Sequence, residues 1–477
     1  MVPAPWDSVP PEDTLFALVT GANSGIGFAI CQRLIDEYLT TRSLTSHLVV
    51  IPTTRSVKKS QETIDALRRH ARQFATTDDI LRSRAGPNYD PRSVTKRIHI
   101  LSVQLDLCNL ADVHRAAEQL VNGTVSSPAN DHDALYFTSL ADVRIPRLDS
   151  VIFNAGMGGW TGLDWPKVFH NILTKGLVQA TTWPTFKAAT AGHVVNPLPD
   201  VKEEKLPEMG QVFCANVFGH YLFAHKLVSL LSRSESDPET IPPGRIIWES
   251  SIEPGWKNLE LSDFQAIKTN AAYESTKRLT DVLCLTATLP SARPFVNSYL
   301  QPATKSTSHT TPPRIYLVHP GIVQTTLFPL NAFMFFWYRV VLYIARWLGS
   351  PWHPITGYNG AVAPVWLALQ EQEALDAVKA EHVKWGSSTD WWGECRVKKT
   401  EVEGWGWDGT VETRKELKNE KGDRGAARKI VGRKSGATDL TEEKREQFEM
   451  LGVDCWKEME KLRGEWEGRL GRVLGRK

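Results

Sequence analysis

An α/β fold, a doubly wound parallel sheet with helices on both faces, is predicted by three features of the chain. Short continuous apolar runs alternate with segments of helical period, as they do when crossover helices bury both faces of a parallel sheet. The first run, Leu15–Val19, leads directly into Thr20-Gly21-Ala22-Asn23-Ser24-Gly25-Ile26-Gly27, and then into Phe28–Ile35 at helical spacing. With 477 residues, 42% of them hydrophobic, the chain can build a full core with insertions or a second domain.

Composition narrows the function. A net charge of +2 asks for no nucleic-acid partner. The six cysteines are scattered, with no C-x-x-C and no Cys/His cluster. That argues against a metal site or a disulfide framework and fits a reducing compartment. The N-terminal stretch, rich in proline and acids before any apolar run, does not read as a secretory leader. The expected organisation is a dinucleotide-binding domain over 1–400 and a charged, partly helical extension over 401–477. Insertions are expected at about 123–147 and 157–209.

Strand, glycine turn, helix is the setting of a dinucleotide fingerprint. Gly21 and Gly25, with Ser24 and Ile26 in the same turn, let backbone approach a pyrophosphate, and Gly27 allows close helix–sheet packing. The helix N-terminus then faces the phosphates. His47–Pro52 reads as the second strand, followed by Thr53-Thr54-Arg55 with no acid. An acid there would bind the ribose 2′-hydroxyl of NAD, whereas Arg55 suits the 2′-phosphate of NADP.

Further strands are expected at Arg97–Leu105, Leu148–Phe153, Gly244–Trp248, Arg314–Val318 and Val383–Gly386. Helices are expected at Ser56–His70, Leu110–Val121, Gln211–Leu231, around Tyr273–Lys277, at Pro354–Gln372 and at Thr441–Leu470. Tyr273 and Lys277 stand four apart, on one helix face. An ammonium beside a phenol favours the phenolate, which makes the tyrosine a usable acid or base near neutral pH. The 157–209 insertion, dotted with Trp160, Trp165 and Trp183, reads either as a packed excursion or as a cover over a bulky apolar substrate. Leu327–Leu348 is apolar and aromatic but contains Arg339 and Arg346. Arginine at mid-span is costly in a bilayer. The segment therefore reads as a helix lying in a membrane surface, or as buried substrate-binding helix.

T-G-x-x-x-G-I-G, Asn154-Ala155-Gly156, Asn216-x-x-Gly219-His220, Ser250-Ser251, Tyr273-x-x-x-Lys277 and Pro320-Gly321 occur in one order. In that order the chain resembles the short-chain dehydrogenase/reductase family, from about Leu15 to Gly386, which implies a Rossmann-type fold. The resemblance implies that Asp106 and Leu107 contact the adenine and that Asn154 supports the sheet beside the cofactor. It implies that Asn216 kinks its helix and holds a water leading to Lys277. Ser251, or Ser250, is the implied catalytic serine, and Ile322 and Thr325 are the implied nicotinamide contacts. The gap from Ser251 to Tyr273 is longer than the family's usual spacing. Its Asp263-Phe264-Gln265 resembles the fungal 3-ketosteroid reductases. That likeness implies NADP(H) and the C3 ketone of 4-methyl sterone or zymosterone-type substrates. It further implies the cytosolic face of the endoplasmic reticulum membrane or a lipid droplet, and the other enzymes of sterol C4-demethylation as partners. A reductase of another apolar carbonyl (retinoid, acyl or polyketide) and a non-enzymatic NADP-binding scaffold remain as alternatives.

Overall fold

The computed structural model describes residues 3–127, 133–199, 201, 206–302, 310–325, 331–411 and 432–475. Parts of the expected insertions (128–132, 200 and 202–205), the start of the aromatic segment (326–330) and 412–431 of the tail lie outside them.

A central sheet organises the chain. Its strands are β1 (Thr14–Val19), β2 (His47–Thr54), β3 (Ile98–Ile100), β4 (Ser150–Phe153), β5 (Arg245–Glu249), β6 (Arg314–His319), β7 (Lys384–Thr389) and β8 (Cys395–Thr400), in the order β8-β7-β6-β5-β4-β1-β2-β3. All neighbours run parallel except β7 and β8. The order reverses between β1 and β4, and in such sheets ligands bind beyond the carboxyl ends of the strands at that switch point.

The apolar runs divide by alternation. In β5, Ile246 and Trp248 face one core with Phe153 and Leu18, while Ile247 faces the other with Ile152, Ala17 and Val19. Helices α1 (Gly25–Thr41) and α2 (Val57–Thr77), with the helix Val362–Leu369, cover the second core. On the opposite side lie Leu110–Val121, the broken helix Gln211–Leu231, Ala272–Thr286 and the tail helix Glu442–Leu474.

Three departures from the sequence expectations are found, the first two with evident physical causes. The strand expected over 97–105 is split opposite Pro52, which has no N–H to give. Ser102 Oγ donates to Pro52 O across the break at 3.0 Å, and Val103–Gln104 resumes pairing with β2. Strand β8 was hidden by Arg396, Lys398 and Lys399, the charges that suit an exposed edge. The helix over 354–372 is interrupted, with Gly357–Gly360 and Val362–Leu369 as separate turns.

The tail helix packs on the domain. Phe448, Cys455, Trp456, Met459, Trp466 and Leu470 are buried in the first core, at the spacing of one helix face. Trp456 Nε1 donates to Leu283 O at 3.2 Å. Each large apolar side chain so buried contributes about 1.5–3 kcal/mol, which is why a segment that reads as charged still docks. Among the described residues no helix is long and apolar enough to cross a membrane.

Candidate active site

At the end of β1, Gly21 and Gly25 have φ of +66° and +58°, a region cheap only for glycine. A Cβ on Gly27 would sit 2.4 Å from Asn154 Nδ2 and 2.5 Å from Gly21 O, so the start of α1 is pressed against the sheet. Thr20 clips the two turns together. Its Oγ1 accepts the N–H groups of Asn154 and Ala155, each at 3.1 Å, and shares a 2.9 Å hydrogen bond with His220 Nε2. Asn154 Nδ2 donates back to Thr20 O at 3.0 Å. Ser24 stands at the N-cap of α1, with Ile26 half-buried behind it. Arg55 is exposed just past β2. Asp106 Oδ1 accepts the Cys108 N–H at 2.9 Å. Arg55 and Asp106 act with opposite sign on the Cys108 thiol, so both stand around one end of the sheet. Leu107 is buried, and its carbonyl abuts Gly219, where a Cβ would come within 2.4 Å.

The catalytic candidates converge where β5 ends. Lys277 Nζ donates to Glu249 O at 2.6 Å and lies 5.8 Å from the Tyr273 ring centroid. Strand alternation separates the two serines. Ser251 lines the same cavity as Tyr273 and opposes the rise in its phenol pKa, and its Oγ accepts the Glu253 N–H at 3.3 Å. Ser250 turns away, its Oγ donating to Asp281 Oδ1 at 2.6 Å, and Asp281 pairs with Lys384 at 2.6 Å. Asn216 lies in a π-helical turn, Cys214–Phe218, that breaks its helix. Its Nδ2 donates to Met157 O (3.0 Å) and Thr276 Oγ1 (3.1 Å), and its Oδ1 accepts the Met157 N–H (2.8 Å). One amide thus ties the Asn154 turn to the residue beside Lys277.

The electrostatics correct one expectation. Burial pushes the Tyr273 phenol well above its usual range, Glu253 adds to the rise, and the Ser251 hydroxyl opposes it. Lys277 Nζ, hydrogen-bonded to Glu249 O and 5.8 Å from the ring centroid, does not offset that rise. Burial also lowers the Lys277 ammonium and raises the Glu249 carboxyl. Both carboxyl oxygens of Glu249 are buried without a hydrogen-bond partner.

Above Tyr273 is an apolar cavity of about 350 Å³, lined from three directions. The 157–209 insertion supplies Trp160, Leu163 and Phe186, so it covers the site. The aromatic helix Ala332–Trp347 supplies Met334, Trp337 and Tyr338, and the end of β5 supplies Ser251. Ile26 of the glycine turn borders the same cavity, as do Ile322 and Thr325. The Ile322 N–H already donates to Trp352 O at 2.6 Å, and its carbonyl accepts from Ile355 at 3.1 Å. That backbone pairing competes with the nicotinamide contact expected at Ile322. Sequence reasoning missed Glu249, Thr276, Glu253 and Lys187. Thr276 lies inside the Y-x-x-x-K motif and its spacing could have flagged it. Lys187 comes from the insertion, and only the folded chain brings it near.

No family model matches the chain. Among curated proteins, "3-keto-steroid reductase ERG27" of Gibberella zeae is 51% identical over 470 residues, covering 98% of this chain and 97% of its own. "3-keto-steroid reductase erg27" of Aspergillus fumigatus is 41% identical over 95% of this chain and 94% of its own. The Schizosaccharomyces pombe protein of that name is 30% identical over 81% and 90%. A metagenomic short-chain oxidoreductase solved with NADP aligns at 17% identity over 75% of this chain and 92% of its own, with a TM-score of 0.32. At half identity over almost its whole length, the chain belongs to the 3-keto-steroid reductase family.

Proposed function

We propose that this chain is an NADPH-dependent reductase that converts the C3 ketone of 4-methyl sterone or zymosterone-type intermediates to the 3β-alcohol, in sterol C4-demethylation. The observation that carries this reading is the Ser251–Tyr273 pair at the floor of an apolar cavity. The cavity lies within the range of roughly 300–1,000 Å³ usual for small-molecule sites.

The glycine turn fits a dinucleotide. A Cβ on Gly25 would meet nothing within 4 Å, so its backbone is open towards the site. The first N–H groups of α1 suit the pyrophosphate, Asp106 and Leu107 the adenine, and Arg55 the 2′-phosphate. A bound NADPH supplies the hydride for C3. Ser251 orients the carbonyl oxygen and hydrogen-bonds the charge that develops on it. Tyr273 donates its phenolic proton to that oxygen. Lys277 adds positive charge beside the phenol and would hold the nicotinamide ribose of a bound cofactor. Asn216 supports the return of a proton through water. The rise in the Tyr273 pKa keeps the phenol protonated before reaction, as a proton donor requires.

The membrane reading is supported by exposed side chains on two of the helices that line the cavity. Phe336 and Trp337 on Ala332–Trp347, and Phe169 and Leu173 on Trp165–Lys175, are exposed, Leu173 by 85%. Such aromatics suit a helix lying at a lipid surface, here the cytosolic face of the endoplasmic reticulum or a lipid droplet. A sterol would then enter from the lipid, and the other C4-demethylation enzymes would be neighbours on that surface.

Detergent-solubilised protein is expected to oxidise NADPH with a 3-keto sterol, and not with NADH, retinal or a simple aliphatic ketone. Tyr273→Phe is expected to abolish turnover with NADPH binding nearly intact. Sterone turnover by that variant at the wild-type rate would sink the mechanism. NADPH binding without turnover of any ketone would favour the scaffold.

A further inference from the structure

Lys187 stands on a short strand, Lys187–Ala189, that pairs antiparallel with Trp160–Leu163 inside the insertion. Its side chain is only 5% exposed. The ammonium pairs with Glu253, two residues past Ser251, and with Glu274 Oε1 at 2.9 Å, directly after Tyr273. It also lies 4.1 Å from the Trp160 ring centroid and 4.9 Å from that of Tyr273. Trp160 meets Tyr273 edge-on at 4.8 Å. One cation therefore touches both segments that carry the catalytic pair, and the ring of the tyrosine itself.

We infer that Lys187 is a positioning residue for the reduction. It fastens the insertion ribbon over Tyr273 and sets a second positive charge against the phenol. This rests on Tyr273 being the proton donor. The groups facing that phenol are Ser251, Glu249 and Glu253 from β5 and its loop, Glu274 and Lys277 from its own helix, and Lys187 from the ribbon. Tyr338, from the aromatic helix, completes the surroundings of Glu253. Three carboxyl groups disfavour the phenolate, and Lys187 is the cation set directly on two of them. Without it, Glu253 and Glu274 would stand beside Tyr273 uncompensated, and buried charge without a partner is costly.

The test compares Lys187→Met with Lys187→Arg. In the oxidative direction a 3-hydroxy sterol gives hydride to NADP+, and its hydroxyl proton passes to the Tyr273 phenolate. Removing a nearby cation makes that phenolate harder to form, so the alkaline midpoint of kcat against pH moves up by about one unit in Lys187→Met. At a fixed pH below the midpoint the rate falls about tenfold, while the Kd for NADPH is unchanged. Lys187→Arg returns the midpoint to that of the wild type. Amide exchange over 160–163 and 187–189 quickens in Lys187→Met and not in Lys187→Arg. A superimposable pH profile in Lys187→Met, or an equally impaired Lys187→Arg, overturns the inference. Should Lys187→Met fail to fold, Lys187→Gln, which removes the charge but can still hydrogen-bond a carboxylate, takes its place, and the same upward shift of the midpoint is expected. If the wild type turns over no keto-steroid, the functional reading fails instead. Ribbon exchange then decides Lys187 alone, and unchanged protection in Lys187→Met overturns its fastening role.

Discussion

At the nucleotide end, Gly21, Gly25 and Gly27 work through backbone within a single turn, and Asn154 comes from the adjacent strand to meet them. At the substrate end, Trp160 and Lys187 of the insertion ribbon, Tyr273 of its helix and Trp337 of the aromatic helix come from three separate parts of the chain and converge through side chains. The first end depends on conformations that few residues can adopt. The second depends on which distant surfaces the fold presses together. Substitutions should therefore fail at the nucleotide end for steric reasons and at the substrate end for chemical ones.

The largest effect expected is at the substrate end. Ser251→Ala removes the hydroxyl beside Tyr273 and with it the donor to the carbonyl oxygen. Turnover should fall about 10²–10³-fold, as when one oxyanion donor is lost. Ser250→Ala leaves the Ser251–Tyr273 contact in place but deprives Asp281 of a hydrogen bond. It should cost about 1–3 kcal/mol of stability with little change in kcat. A larger kcat loss in Ser250→Ala would reverse the two roles. Steady-state rates with urea unfolding curves separate these outcomes.

Next comes a paired test of glycine. An alanine methyl at 27 would meet Asn154 Nδ2 at 2.4 Å, so α1 must shift, at about 1–3 kcal/mol and with loss of NADPH affinity. At Gly162, in the insertion ribbon, an added Cβ meets nothing within 4 Å. Gly162→Ala should stay within about 0.5 kcal/mol of the wild type. Equal tolerance at both positions, by thermal unfolding and NADPH titration, would break the contrast. Arg55→Ala then probes the same end by charge. Losing a hydrogen bond to a charged phosphate costs about 1.5–3 kcal/mol, so NADPH should weaken while NADH does not. Equal weakening of both would remove Arg55 from the 2′-phosphate.

The same contrast explains what could be read from the chain alone. The strands of the parallel sheet and the glycine turn were legible because continuous apolar runs and glycine punctuation are local, as was the Y-x-x-x-K pair. Which serine faces Tyr273 needed the strand's twist and its neighbour Asp281. The net direction of the Tyr273 pKa was not legible, because spacing places Lys277 on the right face but says nothing of the burial that outweighs it. Lys187 carried no signal, since a lysine in an insertion looks like any solvated lysine until Glu253, Glu274 and Trp160 surround it. The tail helix showed its apolar face in the sequence but not the partner that buries it.

The smallest effect compares the two ends by protonation. His220 bridges Thr20 and the Asn216 carbonyl, and His353 bridges Thr181 and Ser350. Burial pushes both imidazoles down to about 3. Both folded values lie below the unfolded one of about 6.5, so the unfolded chain takes up protons that the folded chain refuses. Their contribution is whole above that unfolded value and is lost as pH falls from there towards 3. At pH 5.5 each histidine should cost about 1.4 kcal/mol relative to pH 7.5. Glu249, raised by burial, works in the opposite sense, its contribution falling as pH rises, but it is common to every variant and cancels in their differences. His220→Gln and His353→Gln should each reduce the acid-induced loss by about that amount in urea unfolding at the two pH values. Equal reductions mean that the Thr181 contact in the insertion unfolds with the nucleotide end as one cooperative unit. A change in His220→Gln alone would mean that the substrate end opens before the sheet does, and that its side-chain contacts close over a fold already complete.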